Sequence, residues 1–200
     1  EYLEGKDLEK LIAGGRRPPL ALVHEIFTQT LDALTHVHAR NFVHCDIKPA
    51  NIFVATDLYD PGLRLVKLLD FGVCRDLSGP PPDKSRILGD PFYMPPEQTI
   101  PGGLVDNRAD IYALGMTFFE VVTGGRHPWE DLYEVHPREA LRAQREREPI
   151  KPSVFLGDLP PQQAQAADDV FAMATAKDPA HRFQTAAAMR MAMNSLVTPS

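Results

Sequence analysis

His44-Cys45-Asp46-Ile47-Lys48-Pro49-Ala50-Asn51, with Asp70-Phe71-Gly72 beginning 24 residues after Asp46, is the stretch on which the reading of this chain turns. Two acids, a lysine and a carboxamide fall in two short loops. Asp46 and Lys48 sit two apart and can point the same way. Asn51 and Asp70 add oxygen donors of the kind a hard divalent cation prefers. Such a set can place a hydroxyl nucleophile against a metal-bound phosphate. Either acid alone reads equally well as an ordinary turn residue; the paired spacing is what carries weight.

Around these loops the chain alternates helix and short strand. Residues 1–19 read as a strand end, a short helix and a turn rich in Gly14, Gly15, Pro18 and Pro19. Leu20, Val23, Phe27, Leu31, Leu34 and His38 recur at helical spacing up to about Ala39. Ile52-Phe53-Val54 and Leu65 to Leu69 are strand candidates separated by Asp60-Pro61-Gly62. Residues 73–96 are rich in Pro, Gly and charge and read as a long surface loop. From Asp106 to Thr123 the pattern is helical and apolar on nearly all sides, which predicts a buried central helix ended by Gly124-Gly125. A charged helix from Pro137 to Arg147 and Ala/Met-rich helices over 162–176 and 184–196 complete the chain. The fold class is mostly α with a small β element.

Bulk properties narrow the function further. The chain has 200 residues, 44% hydrophobic and 24% charged, and a net charge of −6. One domain is the natural reading. The acidic balance argues against nucleic acid as a partner. Two cysteines are too few for a disulfide framework and point to a reducing, cytoplasmic setting. No apolar run approaches the length of a membrane span, so no membrane contact is expected from this segment. The chain opens on Glu1-Tyr2-Leu3 without a basic-then-apolar leader and without Met. It reads as a piece of a longer protein whose remainder could carry a membrane anchor.

The two loops, His-x-Asp-x-Lys-Pro-x-Asn and Asp-Phe-Gly, resemble those of the protein kinases. Lys48-Pro-x-Asn51 is similar to the bacterial-type serine/threonine branch. The resemblance runs along the whole of residues 1–200, read as one kinase domain's C-terminal lobe without its N-terminal β lobe. It makes 1–7 the hinge, 44–51 the catalytic loop, 70–97 the activation segment and 106–123 the central buried helix. It implies a transferase that moves the γ-phosphate of ATP to a protein Ser/Thr hydroxyl. Asp46 would orient the hydroxyl and accept its proton. Lys48 would offset charge on the transferring phosphate, and Asn51 and Asp70 would hold Mg²⁺. The Glu1 carbonyl and Leu3 amide would bond adenine, and Asp7 the ribose. Leu8, Ile52, Phe53 and Val54 would floor the adenine pocket, or else be plain core. Asp110 would brace the catalytic loop, and Arg182 would pair with Glu97.

Departures from the pattern matter as much. Cys45 stands where the family usually has Arg, so a phosphate on the activation loop, for instance at Ser78 or Ser85, cannot be read through that position. Cys74 is expected near it, as a redox-sensitive partner or as one of two small buried hydrophobes. Asp90 replaces the usual Thr, and either crowds Asp46 with like charge or pairs with Lys48. Pro95 replaces Ala and stiffens the segment's end. Ala50 offers no partner to a basic substrate residue; Glu120 could, unless a structural partner holds it. No G-x-G-x-x-G occurs in residues 1–200. The Gly-rich loop and strand lysine of the resemblance would have to come from the parent's N-terminal lobe. Residues 1–200 alone are expected to be inactive and to bind nucleotide weakly, and the apolar lobe interface could drive self-association. Two other readings remain: a pseudokinase or docking module, and a small-molecule kinase of similar fold, which the peptide-site segment Gly89–Glu97 opposes.

Overall fold

The structure is a computed structural model and describes residues 4–56, 64–79, 88–129 and 137–197. Its first elements are β1 (Gly5–Asp7) and α1 (Leu8–Ile12). Asp7 ends the strand and caps the helix: its side chain accepts the Lys10 N–H at 2.8 Å, satisfying one of the free amides of a first turn. After Pro18-Pro19, which cannot continue a helix, α2 runs Leu20–His38. Its apolar spacing buries Val23, Phe27, Leu31 and Leu34, and Ile26 and Thr30 join that face.

A three-stranded antiparallel sheet follows, in the order β1, β3 (Ile52–Thr56), β4 (Arg64–Leu68). The register pairs Asp7 with Phe53 and Phe53 with Lys67. Alternation along β3 sends Ile52 and Val54 into the core and Phe53 to the opposite, half-buried face. Leu8 is core as well. Of the two readings open for Leu8, Ile52 and Val54, core packing is the arrangement present, and of the four apolar residues Phe53 alone keeps a face outside the core. A second ribbon adds to the strands expected: β2 (Phe42–Val43) pairs antiparallel with β5 (Arg75–Asp76), and β5 lies in the stretch 73–96 expected to be a surface loop.

The centre is α3, Arg108–Thr123, in which every residue from Ala109 to Val122 is buried. It starts two residues later than expected because the Asp106 side chain accepts the Arg108 N–H at 2.9 Å and turns the chain. Gly124, in the left-handed conformation at φ 75°, closes it. Gly115 lets α5 (Pro161–Ala174) lie close, since a Cβ there would sit 2.7 Å from the Ala174 Cβ. Outside α3 lie α4 (Pro137–Glu146) and α6 (Ala186–Met193), the latter capped by Thr185 and packed on α2. The helix expected over 184–196 breaks at Met193 into a single 3₁₀ turn, Asn194–Leu196. Among the described residues no helix is long and apolar enough to cross a membrane.

Candidate active site

The site begins beneath the loop, at Asp110 in the first turn of α3. This acid is wholly buried. Its Oδ2 accepts the His44 N–H at 2.9 Å and His38 Nε2 at 2.8 Å, and its Oδ1 accepts the Cys45 N–H at 2.9 Å. Two consecutive amides on one carboxylate fix the entry of the loop 44–51. Cys45 adopts φ 65° and Asp70 φ 58°, a left-handed region that costs a side-chain-bearing residue energy. Gln98 adds a second hold on Cys45, donating from Nε2 to its carbonyl at 2.9 Å. His44 accepts the Asp46 N–H at Nδ1 (3.3 Å) and reaches the Leu69 carbonyl through Nε2 (3.0 Å). With Nδ1 accepting, Nε2 is the nitrogen that donates to the carbonyl. The ring also meets Phe71 edge-on at 4.7 Å, so one histidine couples the two loops.

Above this base Asp46 is held from three sides. The Asp90 N–H donates to its Oδ1 at 3.1 Å. Asn51 Nδ2 donates to its Oδ2 at 3.0 Å and to its carbonyl at 2.8 Å, and Lys48 Nζ stands 3.1 Å from Oδ2. Lys48 is also 3.6 Å from Asp90 Oδ2. Of the two expectations for Asp90, ion pairing with Lys48 is the arrangement present. The Phe92 N–H holds Asp90 Oδ1 at 3.1 Å and so aims the other oxygen at the lysine. Burial alone would lower the Lys48 pKa, but the Asp46 and Asp90 carboxylates outweigh it and hold it above the ordinary lysine value.

With Nδ2 occupied, the Asn51 side-chain oxygen Oδ1 meets no donor among the described residues, and Asp70 gives one oxygen to the Gly72 N–H at 3.1 Å and keeps the other. Two hard oxygen donors of this kind suit Mg²⁺, which takes its remaining ligands from water and phosphate. Asp7 is engaged by Lys10, whose ammonium offsets the burial that would raise it and leaves its pKa below the usual carboxylate value. Phe53 stands beside Asp7 through the β1–β3 register. Glu1 and Leu3 lie outside the described residues, as does Ser85. Ser78 is exposed, its N–H donating to Asp76.

Two supports flank the site. Arg182 grips Glu97 bidentately at 2.7 and 2.8 Å, as expected. Glu120 is buried and accepts the Tyr93 hydroxyl at 2.5 Å, so it has a structural partner; burial pushes its pKa up to about 6 against that bond. Sequence reasoning passed over Gln144. This side chain donates to the Pro91 and Phe92 carbonyls at 3.1 and 2.7 Å and accepts the Tyr112 hydroxyl at 2.6 Å. It ties α4 to the segment carrying Asp90. Only its place beside Ala140 and Ala143, on the one apolar face of a charged helix, hinted that it is buried.

The protein kinase domain model matches residues 1–193, and the chain belongs to that family. Among relatives, the serine/threonine-protein kinase Pkn1 of Myxococcus xanthus is 36% identical over 197 residues, covering 96% of this chain and 26% of that protein. The serine/threonine-protein kinase PrkC of Bacillus subtilis is 35% identical over 190 residues, covering 93% and 26%. The chain thus spans about a quarter of the length of these relatives. The crystal structure of the Mycobacterium tuberculosis PknI kinase domain superposes with a TM-score of 0.70 at 28% identity, over 98% of this chain and 64% of that one. The fold is protein-kinase-like.

Proposed function

We propose that residues 1–200 are the C-terminal lobe of a bacterial-type serine/threonine protein kinase. In its parent it would transfer the γ-phosphate of ATP to a Ser or Thr hydroxyl of a protein. The observation that carries this reading is the Asp46 carboxylate, oriented by Asn51 and the Asp90 amide with Lys48 at 3.1 Å. Phosphoryl transfer depends on positioning and charge neutralisation more than on covalent help. Asp46 aligns the acceptor hydroxyl and takes its proton at a carboxylate oxygen. Lys48 swings from its two carboxylates to the phosphate as negative charge shifts there. Asn51 and Asp70 would hold Mg²⁺, which screens the triphosphate when bound. The Glu1 carbonyl, the Leu3 amide and Phe53 would receive adenine, and Asp7 the ribose, once Lys10 yields. The lobe above this cleft would come from the parent, so residues 1–200 alone would not label a substrate and could self-associate through the lobe interface. The relatives' names support a kinase domain, and the low cysteine count favours a reducing, cytoplasmic setting.

Asp90, a carboxylate where the resemblance expects a hydroxyl, favours a second reading, a docking module without transfer. Radiolabelled ATP supplied to the full parent and to its Asp46→Asn variant separates the two. Label on the parent and none on the variant supports transfer; equal labelling of both ends it.

A further inference from the structure

We propose that Asp90 is a specificity-determining residue, which gives up Lys48 in exchange for a cationic side chain beside the acceptor hydroxyl of a protein substrate. That exchange rests on the transfer reaction proposed above. Asp90 meets the site through two groups. Its N–H donates to Asp46 Oδ1 at 3.1 Å, so its backbone lies against the carboxylate that receives the hydroxyl. Its side chain is aimed: the Phe92 N–H holds Oδ1 at 3.1 Å, and Oδ2 stands 3.6 Å from Lys48 Nζ. Its carbonyl accepts the Tyr93 and Met94 N–H groups, both at 3.1 Å. The residue is thus fixed on both sides of its Cα, and its carboxylate cannot follow Lys48 when the lysine turns away.

Charge changes hands during the step. At rest two carboxylates, Asp46 and Asp90, share the single positive charge of Lys48. When Lys48 turns to the phosphate, both lose it. Asp46 is compensated, because it takes the proton of the hydroxyl. Asp90 gains nothing in return. Its side chain is only 29% exposed, so water covers the stranded charge in part, and leaving it unpaired is costly. That cost holds Lys48 back at the carboxylates. A substrate that brings its own cation to Asp90 removes the cost and frees the lysine.

Neighbouring groups do not compete for that cation. Ala50 carries no charge, and Glu120 is buried with its carboxylate on the Tyr93 hydroxyl. Asp46 keeps its remaining lone pair for the acceptor hydroxyl. The matching partner is a lysine or arginine next to the acceptor serine or threonine, with an ammonium or guanidinium to set against Asp90 Oδ2. An acidic neighbour would bring a third carboxylate to the same place and is disfavoured for that reason.

The test uses the full parent protein, radiolabelled ATP and two serine peptides, identical except that arginine or glutamine flanks the serine. The arginine peptide should be labelled with a kcat/KM about five-fold higher, the scale of a half-exposed ion pair. Asp90→Asn should abolish that ratio and raise kcat for the glutamine peptide, since one carboxylate alone then holds Lys48. Equal labelling of the two peptides by the unaltered parent overturns the exchange. So does a ratio that survives Asp90→Asn, the result of mere structural damage. A glutamine peptide labelled more slowly by the variant overturns the hold on Lys48. A parent that labels neither peptide overturns the proposed function, and calorimetric binding of the same peptides then decides. Tighter binding of the arginine peptide that requires Asp90 leaves the cation site standing; equal binding overturns it.

Discussion

Two charged clusters in this molecule are built from similar groups and behave as opposites. Around Asp46, two carboxylates share one lysine at 3.1 and 3.6 Å, with side-chain exposures of 12% for Asp46, 25% for Lys48 and 29% for Asp90. Around Glu97, one arginine with no exposed side-chain surface uses all five of its N–H donors. They go to the two Glu97 oxygens and to the carbonyls of Ala176, Arg108 and Lys177. The Tyr112 ring lies under its guanidinium at 4.8 Å. The first cluster is loosely shared, half wet and able to trade partners. The second is sealed, saturated and has nowhere to go. A group meant to move during a reaction must keep its alternatives close in energy; a group meant to hold the frame must not.

Asp46→Asn should reduce labelling by about 10²–10⁴-fold, the range for loss of a positioned base, while the parent's melting temperature barely moves. A collapse in stability would show that Asp46 is structural after all. Arg182→Ala should do the reverse, costing about 3–5 kcal/mol in denaturant melts, because it strands the half-buried Glu97 carboxylate. Unchanged melting there would erase the contrast.

Glu120 is a finer probe. Its folded pKa, about 6, lies above the ordinary 4.5, so the folded state holds its proton more tightly. Stability from this group is present below about 4.5 and is lost as pH rises through about 6. Glu120→Gln should therefore stabilise the protein at pH 7 by about 1–2 kcal/mol and flatten that slope, as read by thermal melts across the interval. The smallest effect is expected at Asp90→Asn. It keeps the backbone amide on Asp46 but removes one of the two charges on Lys48. NMR titration of the Lys48 side chain should show its pKa fall toward the ordinary value, with stability within about 0.5 kcal/mol. A rise would mean the two carboxylates do not share the lysine.

How far the sequence reaches follows from how local each signal is. Asp46, Lys48 and Asn51 lie within six residues of one another, so their convergence is written in the loop itself. The long helices follow from periodicity, α3 most plainly because it is apolar all round. The β2–β5 ribbon is two residues per strand, too short for any alternation to register. Gln144 and Gln98 act through side chains that cross the fold, and nothing in their neighbours specifies a distant carbonyl. Ile52, Phe53 and Val54 were read as one apolar surface, but a strand's period of two splits such a run between faces. Asp7 was read for a ligand when an acid just ahead of a short helix, with Lys10 three residues on, also spells a cap.

The three donors already on Asp46 have a stoichiometric consequence. An ionised carboxylate offers about four lone-pair sites. Asp90, Asn51 and Lys48 occupy three directions, one on Oδ1 and two on Oδ2. One seat is left, on Oδ1. An alcohol brings a single proton and fits that vacancy as it stands. An ammonium or guanidinium could seat one N–H there, as the Lys48 ammonium does on Oδ2, but its remaining protons would need partners elsewhere. In the proposed reaction, and while Lys48 keeps its place, the count of unfilled lone pairs admits one incoming donor to Asp46 at a time.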